Sequence, residues 1–182
     1  NQDSSDKIIQ LFRTVRKETS AGAFYFDLGN GLYPGALSKY SFGSAMVDFF
    51  KYTGCRGTLI STKDFMLGGD NISFLAKTGK VTFLSANIFK DNDPLFIPYD
   101  IIESGGLRIA IIGMSSSRVV VGTAERDFYK MKLLENRIAL KRVMGELETK
   151  NVDATILLSG LRYAELFDIL REFPQIGFVI SG

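Results

Sequence analysis

The side chains able to do chemistry in this chain gather where apolar runs end. The segments "FDLGN" (Phe26 to Asn30), "STKD" (Ser61 to Asp64), "SAN" (Ser85 to Asn87), "MSSS" (Met114 to Ser117), "LSG" (Leu158 to Gly160) and "ISG" (Ile180 to Gly182) each close an apolar stretch. Open α/β folds place ligands and catalysis at the carboxyl ends of such strands. Lys63-Asp64, in the elbow "TLISTKDFMLGG", is the first candidate. A lysine beside small polar residues suits an anion. Lys63, the Asn30 amide and the backbone N–H groups of Ser115 and Ser116 form a candidate phosphate cradle. The plainer reading is a polar turn in which Asp64 accepts from backbone N–H groups.

The absent residue type decides more. The chain contains no histidine. Ser-His-Asp and Cys-His catalysis and imidazole zinc sites are excluded. A metal would have to rely on carboxylate, amide or carbonyl oxygen, which suits Mg²⁺, Ca²⁺ or Mn²⁺. Cys55 is the one cysteine. With no basic partner for a thiolate, it reads as a small buried filler. The serines of "MSSSR" likewise lack a base and read as a solvated loop. The net charge of +2 on 182 residues argues against nucleic acid, and no run approaches a membrane span.

The elements that must position these residues follow from periodicity. Residues 1–6 read as a flexible tail and 7–182 as a single domain, truncated at its C-terminal end. Helices are expected at "DKIIQLFRTVRKE", "SFGSAMVDFFKYTG" and "DNISFLAKTG", the last with Asp70 as N-cap and Gly79 as C-cap. "KMKLLENRIALKRVMGELETK" is expected to be the longest helix, with a stripe of Leu134, Ile138, Lys141, Val143, Met144 and Leu147. "LRYAELFDILREF" is a further helix. Strands are expected at "GAFYFDLGN", from Gly57 to Ile60, and at "KVTFLSANI", "VDATILLSG" and "QIGFVISG". Gly105-Gly106 joins two more in a hairpin, and Arg108 to Met114 is apolar enough to be buried on both faces. Ser115 to Lys130 reads as a long surface loop around a short strand at Val119 to Val121. The aromatic run Phe24 to Phe26 reads as core. Alternating strands and helices give an α/β layered fold.

Taken in order, the strand ends resemble a family. "FYFDLGNGLYPGALSKYSFGSAMVDFFKYTG" resembles the Asp-x-Gly-Asp segment and following helix of the 5′-nucleotidase branch of the calcineurin-like metallophosphoesterases. "TLISTKDFMLGG" resembles its Leu-Gly-Asn-His-Glu-Phe-Asp-x-Gly block. "VTFLSANI", "GGLRIAIIGM", "VDATILLSGLRY" and "FVISG" resemble the later strands in the family's order, from about Lys7 to Gly182. The resemblance implies a layered α/β/β/α sandwich with mixed, largely parallel sheets, and an exported location, periplasmic or at the cell surface. It also implies two divalent metals that activate water for phosphoester hydrolysis.

Position by position, the implied site is degenerate. The metal-bridging Asp falls on Asn30. The Asn-His pair falls on Thr62 and Lys63. The acidic residue survives as Asp64, with Phe65 and Gly68. The later metal-binding His falls on Gly160, and the final Gly-His-x-His would begin at Gly182. No cofactor is expected; Asp27 and Asp64 are the only carboxylates left to hold an ion. Three readings follow: a binding or scaffolding module without two-metal activity, a hydrolase with one oxygen-ligated metal on Asp64, Asn30 and Asp27, or a purely structural domain. The expected partner is another protein or an adjacent domain, with a phosphate-containing small molecule as a further ligand. Nucleic acid binding and membrane insertion are not expected.

Overall fold

A computed structural model describes residues 2–33, 35–116 and 131–182. Helix α1 (Gln2–Ser20) leads into strand β1 (Tyr25–Asp27), then α2 (Ala36–Tyr40) and α3 (Ser44–Thr53). Strand β2 (Cys55–Leu59) runs into a 3₁₀ helix (Thr62–Leu67), then α4 (Gly69–Thr78) and β3 (Thr82–Leu84). Short strands β4 (Ile88–Lys90) and β5 (Asp93–Pro94) precede the hairpin β6 (Tyr99–Ser104) and β7 (Leu107–Met114). After β8 (Met131–Leu133) come α5 (Asn136–Leu147), β9 (Ala154–Ser159), α6 (Tyr163–Glu172) and β10 (Phe178–Ser181).

The strands form two main sheets. The first has the order β1-β2-β3 and is parallel throughout. The second has the order β10-β9-β7-β6, parallel except for the β6–β7 hairpin. A small antiparallel sheet, β5-β4-β8, lies beside them. Successive residues of a strand point to opposite faces, and the core follows that rule. Ile111 and Leu158 join Leu84 and Ile102 between the two main sheets. Their neighbours Ala110, Ile112 and Leu157 pack outward against Leu140 and Val143 of α5 and Leu166 and Ile169 of α6. Across the molecule, Val47 and Phe50 of α3 and Ile72 and Leu75 of α4 cover the outer face of the first sheet. The result is the layered α/β/β/α sandwich. The sheets are in close contact at Gly113, where a Cβ would stand 2.7 Å from the Leu84 Cβ and 2.9 Å from its carbonyl carbon.

Several boundaries differ from the sequence expectation. Residues 2–6, expected as a tail, belong to α1, which at 19 residues is the longest described helix. "KVTFLSANI" splits into β3 and β4, in different sheets, around Ser85-Ala86-Asn87. Met131 to Leu133, expected as helix, is extended because it pairs with β4, a long-range tie that local pattern does not show. In α5 the buried stripe is Ala139, Leu140, Val143 and Leu147, while Ile138 is exposed. Gly68, not Asp70, is the N-cap of α4. The expected strand at Val119 to Val121, and the Ser115 to Lys130 loop beyond Ser116, fall outside the described residues.

Candidate functional site

The elbow after β2 is organised by one carboxylate. Ser61 caps the 3₁₀ helix in a reciprocal capping box with Asp64. The Asp64 Oδ2 accepts from the Ser61 N–H at 2.9 Å, the Ser61 hydroxyl at 2.8 Å and the Asn30 N–H at 3.3 Å. Its Oδ1 accepts from the Leu32 N–H at 3.1 Å. Asp64 is 3% exposed. Burial pushes its carboxyl above the usual range, and the donors from Ser61, Leu32 and Asn30 pull it back. Lys63, one residue earlier, is exposed. Among the described residues no carboxylate lies within ion-pair distance of it. Asp64 therefore takes main-chain donors and not its neighbouring cation.

The loop after β1 docks onto that elbow. Gly29 has φ +95, and a Cβ there would lie 2.8 Å from the Leu59 carbonyl oxygen. Asn30 follows at φ 58, in the left-handed region that Asn tolerates. Its N–H donates to the Ser61 Oγ at 3.0 Å, and its Oδ1 lies 2.7 Å from the same hydroxyl. One hydroxyl proton serves either the Asn30 amide or Asp64, not both at once. Asp27 stands behind them. Its Oδ2 accepts from the Thr58 hydroxyl at 2.7 Å and the Gly29 N–H at 3.0 Å. Burial raises the Asp27 carboxyl as well, against those two hydrogen bonds.

A second polar cluster ties the two main sheets together. The Ser115 side chain is fully buried and its Oγ donates to the Ile60 carbonyl at 2.6 Å, with the Ser85 Oγ at 2.8 Å. Asn87 is equally buried. Its Oδ1 accepts from the Ser115 N–H and the Ser85 hydroxyl, and its Nδ2 donates to the Ser115 carbonyl and the Asn136 Oδ1. Ser115 was a candidate anion donor, yet both its hydroxyl and its N–H are spent internally. Gly160 closes the group: its N–H donates to the Met114 carbonyl, and a Cβ there would sit 3.2 Å from the Ser116 N.

No protein-family model matches the chain. Over 166 residues it is 24% identical to the NAD 5′-nucleotidase of Haemophilus influenzae, a match covering 88% of this chain and 25% of that protein. Over 179 residues it is 22% identical to a probable 5′-nucleotidase of Treponema pallidum, covering 96% of this chain and 30% of that one. The chain thus spans between a quarter and a third of the curated relatives it matches. Among solved structures, the sulfate thiohydrolase SoxB of Thermus thermophilus superposes with a TM-score of 0.82 at 24% identity, over 94% of this chain and 32% of that one. The calcineurin-like phosphoesterase YfkN of Bacillus subtilis gives 0.78 at 16% identity, over 95% and 61%. The chain carries the metallophosphoesterase fold of the 5′-nucleotidase branch.

Within that fold the structure brings Asn30, Ser61 and Asp64 together and sets Asp27 directly behind them. It leaves Lys63 pointing to solvent and places Ser115 and Gly160 in the second cluster. Thr62 opens the 3₁₀ helix. Phe65 is a core residue, meeting the Phe96 ring at 6.0 Å edge to face. Among the described residues no group of three or more His, Cys, Asp or Glu side chains could hold a metal ion, and none of the helices is long and apolar enough to cross a membrane. Sequence reasoning passed over Ser61, although Ser-x-x-Asp at the end of an apolar run is a capping-box signature. Asn87, which the sequence places only at the end of an apolar run, is the hub between β3, β7 and α5.

Proposed function

We propose that this chain is a 5′-nucleotidase-like domain that does not carry out two-metal phosphoester hydrolysis and serves as a binding or scaffolding module. The observation that carries this reading is the engagement of Asp64. The one acidic residue retained in the elbow already holds three backbone N–H groups and a hydroxyl. Two divalent ions about 3.5–4 Å apart repel and need several anionic or imidazole ligands. In their place the chain offers a neutral Asn30 amide, a Lys63 ammonium and Gly160, which has no side chain. These residues do not fit a metal pair, and no step is routed through one. Lys63 favours an anionic ligand, such as a phosphate-containing small molecule, over a cation. The partner in this reading is another protein or an adjacent domain, and the location is exported, with resemblance as its only support.

The test is direct. The chain is purified with Mn²⁺, Mg²⁺ or Zn²⁺ present, its metal content is measured by elemental analysis, and turnover of an aryl phosphate and of nucleoside monophosphates is assayed. Substoichiometric metal and no turnover above buffer are expected. Stoichiometric metal with turnover overturns the proposal. A thermal-shift series with phosphate and nucleotides, in wild type and Lys63→Ala, then separates a ligand-binding module from a purely structural one.

A further inference from the structure

Between the carboxyl end of α4, strand β3 and the segment that follows β5 lies a cavity of about 550 Å³, within the roughly 300–1,000 Å³ of ligand sites. Three elements each bring a lysine to it: Lys77 from α4, Lys80 from the turn before β3, and Lys90 from the end of β4. Among the described residues that line it there is no carboxylate. Lys90 has one exposed partner at the limit of an ion pair, the Asp70 Oδ1 at 4.0 Å, and such surface pairs are worth little. Lys77 and Lys80 have no ion-pair partner among the described residues. Another part of the wall is apolar, with Val81 and Phe96 buried and Ile97 52% exposed.

Like charges gathered at one place repel, so each lysine needs a reason to stand there. Lys77 has a structural one: it lies in the last turn of α4, where a cation complements the helix dipole. Lys80 has none. It stands at φ 55, a left-handed backbone that costs a lysine energy and a glycine nothing. Gly79 beside it takes φ −77 and is required there by packing, since a Cβ would meet the Val47 Cγ1 at 2.5 Å. The strained position thus falls to a lysine that borders the cavity without a counter-ion. Residues held in strained backbone gather at ligand sites. We propose that this cavity binds an amphipathic organic oxyanion. Its acidic group lies among Lys77, Lys80 and Lys90, which supply charge-assisted hydrogen bonds. Its aromatic or aliphatic body packs on Val81, Phe96 and Ile97, which supply apolar burial. The site stands apart from the elbow and from the function proposed for it: Lys77 lies eight residues along α4 from Gly69, roughly 12 Å.

The probe is naphthalene sulfonate, an aromatic oxyanion that phosphoester hydrolysis cannot consume, so the outcome does not depend on whether the elbow is active. It is titrated into the chain by calorimetry at low salt, and saturable binding of one probe per chain is expected. Inorganic sulfate, which lacks the body, and naphthol, which lacks the charge, should each bind at least tenfold more weakly. Lys80→Glu should weaken binding of the sulfonate at least tenfold. Lys80→Gly should weaken it as well while holding or raising the melting temperature, because glycine takes φ 55 without strain. A purely structural Lys80 would leave the affinity unchanged. Absence of saturable binding overturns the proposal, as does equal binding by sulfate or by naphthol. So does an affinity that survives Lys80→Glu but is lost in Lys63→Glu, which would place the anion at the elbow.

Discussion

Replacing Asp64 by alanine should unfasten the elbow, and the size of the effect follows from its partners. The substitution removes the acceptor of the Ser61 and Leu32 N–H groups outright. The Asn30 N–H keeps the Ser61 Oγ at 3.0 Å and is spared. Leu32 is 2% exposed, so water does not readily replace the lost acceptor. Each orphaned buried donor costs about 1–3 kcal/mol. The buried Leu32 N–H bears that cost in full and the part-buried Ser61 N–H bears less, together about 2–5 kcal/mol, reduced by the relief of a carboxylate that burial already disfavours. A net loss of about 3 kcal/mol is the expectation. At about 2–4 °C per kcal/mol for a domain of this length, the melting temperature should fall by roughly 6–12 °C. Asp64→Asn keeps one acceptor and turns an NH₂ toward the donors, so it should fall between wild type and Asp64→Ala. The assay is thermal unfolding by circular dichroism at neutral pH in chelator. A melting temperature for Asp64→Ala within about 2 °C of wild type would show that the carboxylate is not the pin described here. The reasoning would then be wrong at its base.

Other consequences can be read from single sites. Cys55 is 6% exposed and burial pushes its thiol up to about 12, so iodoacetamide should leave the folded chain unlabelled and label it fully in denaturant. Ser115→Ala should cost about 1–3 kcal/mol by leaving buried partners unpaired, seen as a lower denaturation midpoint; an unchanged midpoint would count against the inter-sheet tie. Gly113→Ala places a methyl group against Leu84 and should cost about 1–3 kcal/mol through overpacking, measured the same way. Asp27 has a raised carboxyl because burial outweighs its hydrogen bonds. Its proton is therefore held more tightly in the folded state than in the unfolded one. That favours folding as pH falls from above the folded value toward the ordinary 3.8. Denaturation of wild type and Asp27→Asn across that window should show wild type gaining stability relative to the variant as acid is added.

How much of this was legible in the sequence depends on the range of the cause. Strand β7 was legible because Ile109 to Met114 is apolar on both faces, and the Gly105-Gly106 turn has φ 59 and 80, as a tight hairpin needs. Cys55 as a filler needed only the absence of histidine. The phase of α5 was not legible. Ile138 looks like core by hydrophobicity, but it is exposed and the smaller Ala139 beside it is the residue that packs in the core. The register of Met131 to Leu133 is set by β4, some forty residues earlier. Asp64 as an acceptor of backbone N–H groups was readable from its type and place. That those groups lie on Asn30 and Leu32 was not, because the loop that brings them is docked from another strand. That the Ser115 N–H, a candidate anion donor, is taken by the Asn87 Oδ1 was not readable for the same reason: its acceptor lies 28 positions away.

The lone-pair count of Asp64 bears on the hydrolase alternative more sharply than residue identity does. A carboxylate has about four lone-pair sites. Oδ2 faces three donors, from Ser61 twice and from Asn30. Oδ1 faces one, from buried Leu32. An ion could take one remaining direction on Oδ1 without breaking a hydrogen bond, and any bidentate contact would have to displace Ser61. The Asn30 amide oxygen is already within hydrogen-bond distance of the Ser61 hydroxyl, and the Asp27 Oδ2 holds Thr58 and Gly29. An ion that needed more of Asp64 than that one direction would compete with the contacts that hold the loop after β1 to the elbow. Those contacts are by themselves a physical reason to retain Asp64, whether or not an ion binds.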